Sequence, residues 1–479
     1  MYAERIAGIV LAAGQSTRFK AGQQKLLFSL LGRSVIGWVV HRCQQAGVDP
    51  IVVVVADVDG PVAQRVRQEV PDVSLRWAVQ AVPRGTGDAV LQVRSVLEDY
   101  RGPVLIMNGD TPAVRPETIQ ALRAAHQRAG AALTLATAVL ADPAAYGRVL
   151  RDEHGHIRAV REWTECDPAE RAIPEVNLGV YVADWSRLVA YLERLMPHPD
   201  KGEYYLTDVV AQMIADGRTV VGYRLQDPSE ALGVNTWEEL HTVQDVLARQ
   251  VVRGWIRQGV HFLAPDRVWL SADVVLGADV VVYPDVVLEG STVIGDRTVL
   301  YPGVRIRDSR VGSDAVVWDH SVIEGSLIGD RCQVGPMARL RPGTVLEAEA
   351  RIGNFVEVKN SRIGTGSKAL HLTYLGDATV GRNVNVGAGT ITCNYDGVEK
   401  HPTVIEDDVF IGSDSQLVAP VRVGRGAYVA AGSTITRDVP PDSLAIARAR
   451  QENKEGWLAR RRRRAQGPLT SSGEGNENL

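Results

Sequence analysis

From about residue 260 an aliphatic side chain returns at every sixth position, and few folds can use that spacing. Val268, Val274, Val280 and Val286 form one run. After a phase slip, Ile328, Val334, Leu340, Leu346, Ile352 and Val358 form a second, and Ile405, Ile411, Leu417, Val423, Val429 and Ile435 a third. Glycine often follows, as in Ile328-Gly329, Val334-Gly335 and Ile352-Gly353. A helix repeats its apolar face every three or four residues and a half-buried strand every two. A six-residue beat is the hexapeptide signature of a parallel β-helix, whose short strands each turn one aliphatic side chain inward so that stacked coils share one core. The period alone leaves the handedness open.

The first half has another texture. Ile6–Ala12, Ile51–Ala56 and Val104–Met107 are short and apolar throughout, as parallel strands buried on both faces are. They alternate with helix-like segments such as Pro116–Gly130 and Trp237–Arg257. That order predicts an α/β domain with a Rossmann-like, mostly parallel sheet. A chain of 479 residues exceeds one core. The expected division is an α/β domain over 1–236, a linking helix over 237–257, the β-helix over 258–450 and a largely disordered polar tail over 451–479. The tail holds Arg460 to Arg464; such a run can bind nucleic acid or a membrane, but in this polar setting it reads rather as a solvated tail.

Composition excludes more than it assigns. A net charge of -4 gives no global bias toward nucleic acid or an anionic membrane. Cys43, Cys166, Cys332 and Cys393 stand far apart with no CxxC pair, which argues against a disulfide framework or a zinc site and fits a reducing compartment. No apolar run approaches the ~18 residues that cross a bilayer. The expectation is a cytoplasmic protein with no nucleic-acid or membrane partner.

Two groups of residues carry chemistry. Leu11-Ala12-Ala13-Gly14-Gln15-Ser16-Thr17-Arg18 follows the first strand and matches neither the GxGxxG dinucleotide loop nor the Walker phosphate loop. Its small residues let backbone N–H groups approach a nucleotide, and Arg18 and Lys25 supply charge for a triphosphate. Alone, this would read equally as a plain turn with surface cations. Gln80 ahead of Arg84-Gly85-Thr86-Gly87-Asp88 suits contact with a base, and Asn108-Gly109-Asp110-Thr111-Pro112 puts Asp110 at a strand's C-terminal end, where open α/β sheets bind ligands. Asn235 could join Asp110 on one Mg²⁺, an ion that takes one or two protein oxygens and fills its shell with phosphates and water. Separately, each reads as a turn or cap residue.

In the β-helix, Arg339–Gly343, Asn354–Lys359, His371–Asp377, Asn385, Gly387–Thr390 and Asn394–Gly397 interrupt the repeat with polar and aromatic residues that a scaffold does not need. Acyl transfer to a sugar amine needs a base near neutrality and an anchor for phosphate. His371 suits the first, and Arg341 with Lys359 the second.

Together these segments resemble the family of bifunctional N-acetylglucosamine-1-phosphate uridyltransferase / glucosamine-1-phosphate N-acetyltransferase, from about residue 5 to Trp457. The resemblance implies a left-handed β-helix and two activities: acetyl-coenzyme A-dependent N-acetylation of glucosamine-1-phosphate, and Mg²⁺-dependent uridylyl transfer from UTP to N-acetylglucosamine-1-phosphate. It implies that Leu11, Ala12, Ala13, Gly14, Lys25, Gln80, Gly85, Thr86, Asn108, Gly109 and Asp110 line the nucleotide site with Arg18, that Gly147, Glu162, Asn177 and Asn235 hold the sugar, and that Asp110 and Asn235 hold the metal. In the second site it implies His371 as general base with Glu357 tuning it. Arg341, Lys359, Tyr374 and Asn385 would bind the sugar phosphate, and Ala388, Asn394, Tyr395, Ser413, Ala431 and Arg448 acetyl-coenzyme A, with Lys400 reaching the groove from an insertion. A homotrimer is implied, with acetyl-coenzyme A sites between subunits. The chain departs from the family at Gln24 (usually Pro), Asn108 (usually Tyr), Arg161-Glu162-Trp163-Thr164 (usually acidic-His-Lys) and Leu178 (usually Thr). Two other readings use the same folds: a monofunctional sugar-1-phosphate nucleotidyltransferase with an oligomerising or regulatory β-helix, and a non-catalytic assembly subunit.

Overall fold

A computed structural model describes residues 5–14, 19, 24–143, 145–199 and 201–465. The chain forms two compact units, Met1–Ser326 and Leu327–Leu479.

The first unit is built on a nine-stranded sheet of β1 (Ala7–Leu11), β2 (Ile51–Val55), β3 (Leu75–Val79), β4 (Pro103–Asn108), β5 (Leu133–Val139), β6 (Arg148–Arg151), β7 (Ile157–Arg161), β8 (Glu175–Asp184) and β9 (Val220–Arg224). The order is β9-β5-β8-β4-β1-β2-β3, with β6 and β7 forming a hairpin off β8. Strands β4, β1, β2 and β3 run parallel, as the apolar runs predict. Strand β8 is inserted antiparallel between β4 and β5. Alternate residues feed two cores: Val10, Val53, Leu105 and Met107 on one face, Ile9, Val52, Val54 and Ile106 on the other. Burial on both faces is why these strands read as unbroken apolar runs.

Helix boundaries follow from end chemistry. Helix α1 (Val35–Gln45) starts at Ser34, whose hydroxyl accepts the Gly37 N–H. The long helix α2 (Trp237–Arg257) opens with a capping box: the Thr236 side chain accepts from Glu239 N–H, and the Glu239 side chain accepts from the Thr236 N–H. The first β-helix coils belong to the same compact unit. Ala272 N–H donates to the Leu31 carbonyl at 2.8 Å, Arg33 pairs with Asp273 at 2.5 Å, and α2 packs on the strand Trp269–Leu270.

In both units the coils are built from strands of two to four residues on three faces. Val281 pairs with Val299 and Val299 with Val316, so successive rungs advance by 18 and then 17 residues. Each such shorter step moves the inward column one place against a strict six-residue count, so Val286 and Ile328, 42 residues and seven periods apart, share a phase without sharing a column. The first aliphatic run also marks a different inward column from the others. Val274, Val280 and Val286 are buried just before their strands, while Leu276, Val282 and Leu288 are buried within them. Corners take left-handed backbone at residues that tolerate it, among them Asp279, Asp285, Asp314, Asn360, Asn383 and Asp408. Between Val386 and its partner Ile411 the step lengthens to 25, which makes room for the loop around residues 394–402.

Leu340 stands at 0% exposure on the second unit's inward column. Leu340→Ala is expected to lower unfolding free energy by about 2–5 kcal/mol, read from urea melts, because the next coil, hydrogen-bonded in register, cannot collapse onto the cavity. After the last coil, Trp457–Ala465 is a fully exposed helix. Its leucine, alanines and arginines are good helix formers, which a reading of the segment as polar tail overlooks. Residues 466–479 of that tail lie outside the described residues.

Candidate active sites

The first site lies at the C-terminal ends of the parallel strands. Gly109 N–H donates to the Leu11 carbonyl at 2.9 Å, Ala12 N–H to Val54 at 2.8 Å and Gln80 N–H to Val55 at 2.9 Å. These bonds bring Leu11–Gly14, Gln80 and Asn108–Asp110 to one edge of the sheet. Gln15–Arg18, with the predicted cation Arg18, lie outside the described residues. Gly85 has φ +96°, and a Cβ there would fall 2.5 Å from the Tyr204 carbonyl oxygen, so only glycine fits. Tyr204 zips onto this loop through Arg84 and Gly87, and the Thr86 hydroxyl accepts the Leu206 N–H at 3.1 Å. The Gln80 amide donates to the Gly85 carbonyl and to Asp88, which fixes the loop's entry.

Lys25 Nζ sits 2.5 Å from Asp110 Oδ2 and 2.8 Å from Asn235 Oδ1. Two hard oxygens separated widely in sequence thus converge on one cation. The backbone holds them there: Val234 N–H donates to the Asp110 carbonyl at 3.0 Å, and Asn235 N–H to Glu239 Oε2 at 2.6 Å. Tyr146 accepts from Gly233 N–H and donates to the Ala231 carbonyl, which ties down the same loop. Glu239 was legible as a capping-box partner; Tyr146 gave no sequence signal.

Gly147, Glu162 and Asn177 are brought together. Asn177 N–H donates to the Gly147 carbonyl at 2.9 Å, and a Cβ on Gly147 would fall 3.6 Å from Glu162 Oε2. Burial pushes the Glu162 carboxyl up, Thr207 donates to it at 3.1 Å and opposes that, and Glu165 and Asp208 push it further up. Asn108 lies against the bulge of β8, where a Cβ on Gly179 would fall 2.2 Å from its amide nitrogen. Trp163 is flanked by the guanidinium groups of Arg148 and Arg171, at 4.7 and 4.8 Å from its ring.

The second site lies wholly in the second unit. His371 and Asn354 are register partners on one face of the β-helix, and His371 Nδ1 lies 3.0 Å from Asn354 Oδ1. Glu357 pairs in register with Tyr374 on the next face and forms a 2.9 Å ion pair with Arg341. The imidazole thus has its hydrogen bond with Asn354, while Glu357 is paired with Arg341. The Lys359 ammonium is held below its ordinary range by the nearby Lys400 ammonium, a donor facing a donor and a like charge, with Arg341 adding to it. Cations gathered this way suit a phosphate. Ala388, Ser413 and Ala431 stack on successive coils: Asp414 N–H donates to the Ala388 carbonyl, a Cβ on Gly387 would meet Ser413 N at 2.5 Å, and one on Gly412 would meet Ala431 N at 2.5 Å. Arg448 lies just beyond, 3.9 Å from a Cβ built on Gly432. Asn385 pairs with Lys368 and Phe410, and Tyr395 is exposed with its hydroxyl on the Gly397 carbonyl.

Known proteins match along the whole chain. The bifunctional protein GlmU of Heliobacterium modesticaldum is 45% identical over 459 residues, covering 96% of this chain and 99% of the relative. That of Trichlorobacter lovleyi is 44% identical over 456 residues, 95% and 98%. The chain belongs to the GlmU family. The GlmU of Alkalilimnicola ehrlichii, 45% identical over 470 residues, covers 98% of each chain. By parts, residues 8–172 match a MobA-like NTP transferase domain, residues 270–375 a GMPPB C-terminal domain, and residues 402–437 the bacterial transferase hexapeptide of six repeats. Membership fixes the architecture as a nucleotidyltransferase α/β domain followed by a hexapeptide β-helix. No helix among the described residues is long and apolar enough to cross a membrane.

In this GlmU-family chain the second site also has an acid-sensitive brace. Burial pushes the Asp377 carboxyl up, but amide donors from Asn360 (2.6 Å) and Asn394 (2.5 Å), with Lys359 and Lys400 nearby, outweigh it and hold the carboxyl below its ordinary range. A depressed folded value stabilises above the unfolded pKa of about 3.9 and is lost as pH falls through the folded value. The stability difference between wild type and Asp377→Asn is therefore expected to be full near neutrality and to shrink in acid, as read by urea titrations at several pH values.

Proposed function

We propose that this chain is a bifunctional enzyme that acetylates the amine of glucosamine-1-phosphate and then joins N-acetylglucosamine-1-phosphate to UMP from UTP, releasing pyrophosphate. GlmU-family membership over nearly the full length supports both activities. The observation that carries the reading is the second site: a β-helix that only assembled subunits would need neither an imidazole steered by Asn354 nor Lys359 and Lys400 facing one another.

In acyl transfer, the Asn354 carboxamide oxygen accepts from Nδ1–H of His371, which leaves Nε2 with the lone pair. The sugar ammonium first gives one proton to solvent, and Nε2 takes a second as the neutral amine attacks the thioester carbonyl. The tetrahedral adduct collapses, the C–S bond breaks, and coenzyme A leaves as thiol with the proton. Arg341, Lys359 and Tyr374 anchor the sugar phosphate, and Ala388, Asn394, Tyr395, Ser413, Ala431 and Arg448 border the coenzyme A groove.

In uridylyl transfer, a sugar-phosphate oxygen attacks the α-phosphorus and pyrophosphate leaves, a reaction governed by positioning and charge neutralisation. The donor set fits magnesium, since Asp110 and Asn235 already aim two oxygens at one cation. When bound, that ion supplies positive charge to the phosphates. Lys25 would supply its charge to the phosphate oxygens, and Gly147, Glu162 and Asn177 would orient the sugar. Family resemblance also favours a cytoplasmic homotrimer; a gel-filtration mass of one chain in active enzyme contradicts the trimer.

Separate half-reactions test the function. The enzyme is expected to release thiol from acetyl-coenzyme A with glucosamine-1-phosphate, and pyrophosphate from UTP with N-acetylglucosamine-1-phosphate and Mg²⁺. Failure of the first alone supports a monofunctional nucleotidyltransferase; failure of both overturns the reading.

A further inference from the structure

Helix α1 and helix α2 enclose, with the first β-helix coil, a cavity of about 170 Å³ away from both sites. Arg33, Trp38, His41, Arg42, Gln45 and Gln258 are among its lining residues, and no carboxylate lines it. The two guanidinium groups stack on the Trp38 ring, 5.4 and 4.9 Å from its centroid. Stacking fixes each guanidinium plane and leaves its N–H edge available for hydrogen bonds.

Those edges are only partly used. Arg33 bonds Asp273 at 2.5 Å and Arg42 bonds Gln250 at 2.8 Å. Arg33 Nη1 and Arg42 Nε are buried and have no hydrogen-bond partner among the described residues, and Arg33 as a whole is only 6% exposed. Buried donors are almost always satisfied, so two orphans on neighbouring cations mark positive charge that the surrounding side chains leave incompletely met. The charge balance agrees. Burial, then Arg33 and Arg42, pull the His41 imidazole down to about 4, against Asp273 and a hydrogen bond with Gln44. Arg42 likewise is pulled down to about 10 by burial, with Arg33 and Arg115 acting in the same direction and Glu117 and Glu230 opposing.

We propose that this cavity binds inorganic phosphate, held between Arg33 and Arg42 beside Trp38. The volume corresponds to about five or six waters' share of liquid, which is room for a phosphate ion. Two separate guanidinium groups lining one cavity match a tetrahedral oxyanion, whose oxygens point in different directions, better than a flat carboxylate. None of these residues takes part in the two transfer reactions.

The test is calorimetric titration of the full-length chain with phosphate at low ionic strength, in wild type, Arg42→Met, Gln45→Glu and Gln258→Glu. Arg42 also supports Gln250, so the rim variants matter most: both exposed glutamines gain a carboxylate at the mouth while Arg33 and Arg42 stay unchanged. Wild type is expected to bind one phosphate per chain more than Arg42→Met. Each rim carboxylate is expected to weaken that phosphate by about tenfold or more through like-charge repulsion, with unchanged thermal melts. Acetate is expected not to compete at equal concentration. Equal binding by wild type and the rim variants, or full displacement by acetate, overturns the proposal, whatever becomes of the two transferase activities.

Discussion

Replacing His371 with alanine is expected to lower thiol release from acetyl-coenzyme A by about 10²–10⁴-fold, the range general bases contribute, while pyrophosphate release from UTP and N-acetylglucosamine-1-phosphate stays at the wild-type rate. The size of the effect follows from the absence of a substitute. At this site Arg341 is a cation and Glu357 is paired with it at 2.9 Å, so neither is placed to replace the imidazole. Asn354→Ala is expected to give a smaller loss. It leaves the imidazole in place but removes the oxygen that holds the proton on Nδ1. If the Asn354 variant matches His371→Ala in rate and also shifts the pH profile, steering of the ring is the larger share of the base's contribution. An unchanged rate in His371→Ala contradicts the assignment of the base.

Asp110→Ala is expected to have the opposite selectivity, lowering pyrophosphate release by roughly 10²-fold or more, as the loss of one preorganised electrostatic partner does, and sparing thiol release. Two effects combine. One of the two oxygens aimed at the cation disappears, and Lys25 loses its 2.5 Å partner in a largely buried setting. Asp110→Asn keeps the shape and removes only the charge. It is expected to retain thermal stability yet remain impaired, and raising Mg²⁺ should recover part of its activity. Loss of both activities in either variant would mean the protein has misassembled, which melting curves resolve.

Much of this was legible in the residues because repetition and end chemistry are local. Each coil repeats the same inward aliphatic residue, so Ile328 through Val358 announces a β-helix without long-range information. Thr236 and Glu239 mark the start of α2 by a pattern that caps any helix. What stayed hidden depends on pairing across the chain. The antiparallel insertion of β8 could not be read from a strand interrupted by Asn177 and Gly179, whose bulge exists to receive Asn108. Lys25 meets Asp110 and Asn235 from 85 and 210 residues away. Glu357 and Asn354 are three residues apart and equally plausible neighbours for His371, and only the corner between them, at Phe355 with φ +58°, sends one to the imidazole and the other to Arg341. Periodicity predicts the prism; the rung register decides which side chains share a face.

The most direct measurement follows thiol and pyrophosphate separately in one reaction that contains glucosamine-1-phosphate, acetyl-coenzyme A, UTP and Mg²⁺ but no N-acetylated sugar. The two-site account predicts that thiol appears first, that pyrophosphate follows after a lag, and that omitting acetyl-coenzyme A suppresses both. Pyrophosphate released at full rate without acetyl-coenzyme A, or with no thiol formed, would contradict it.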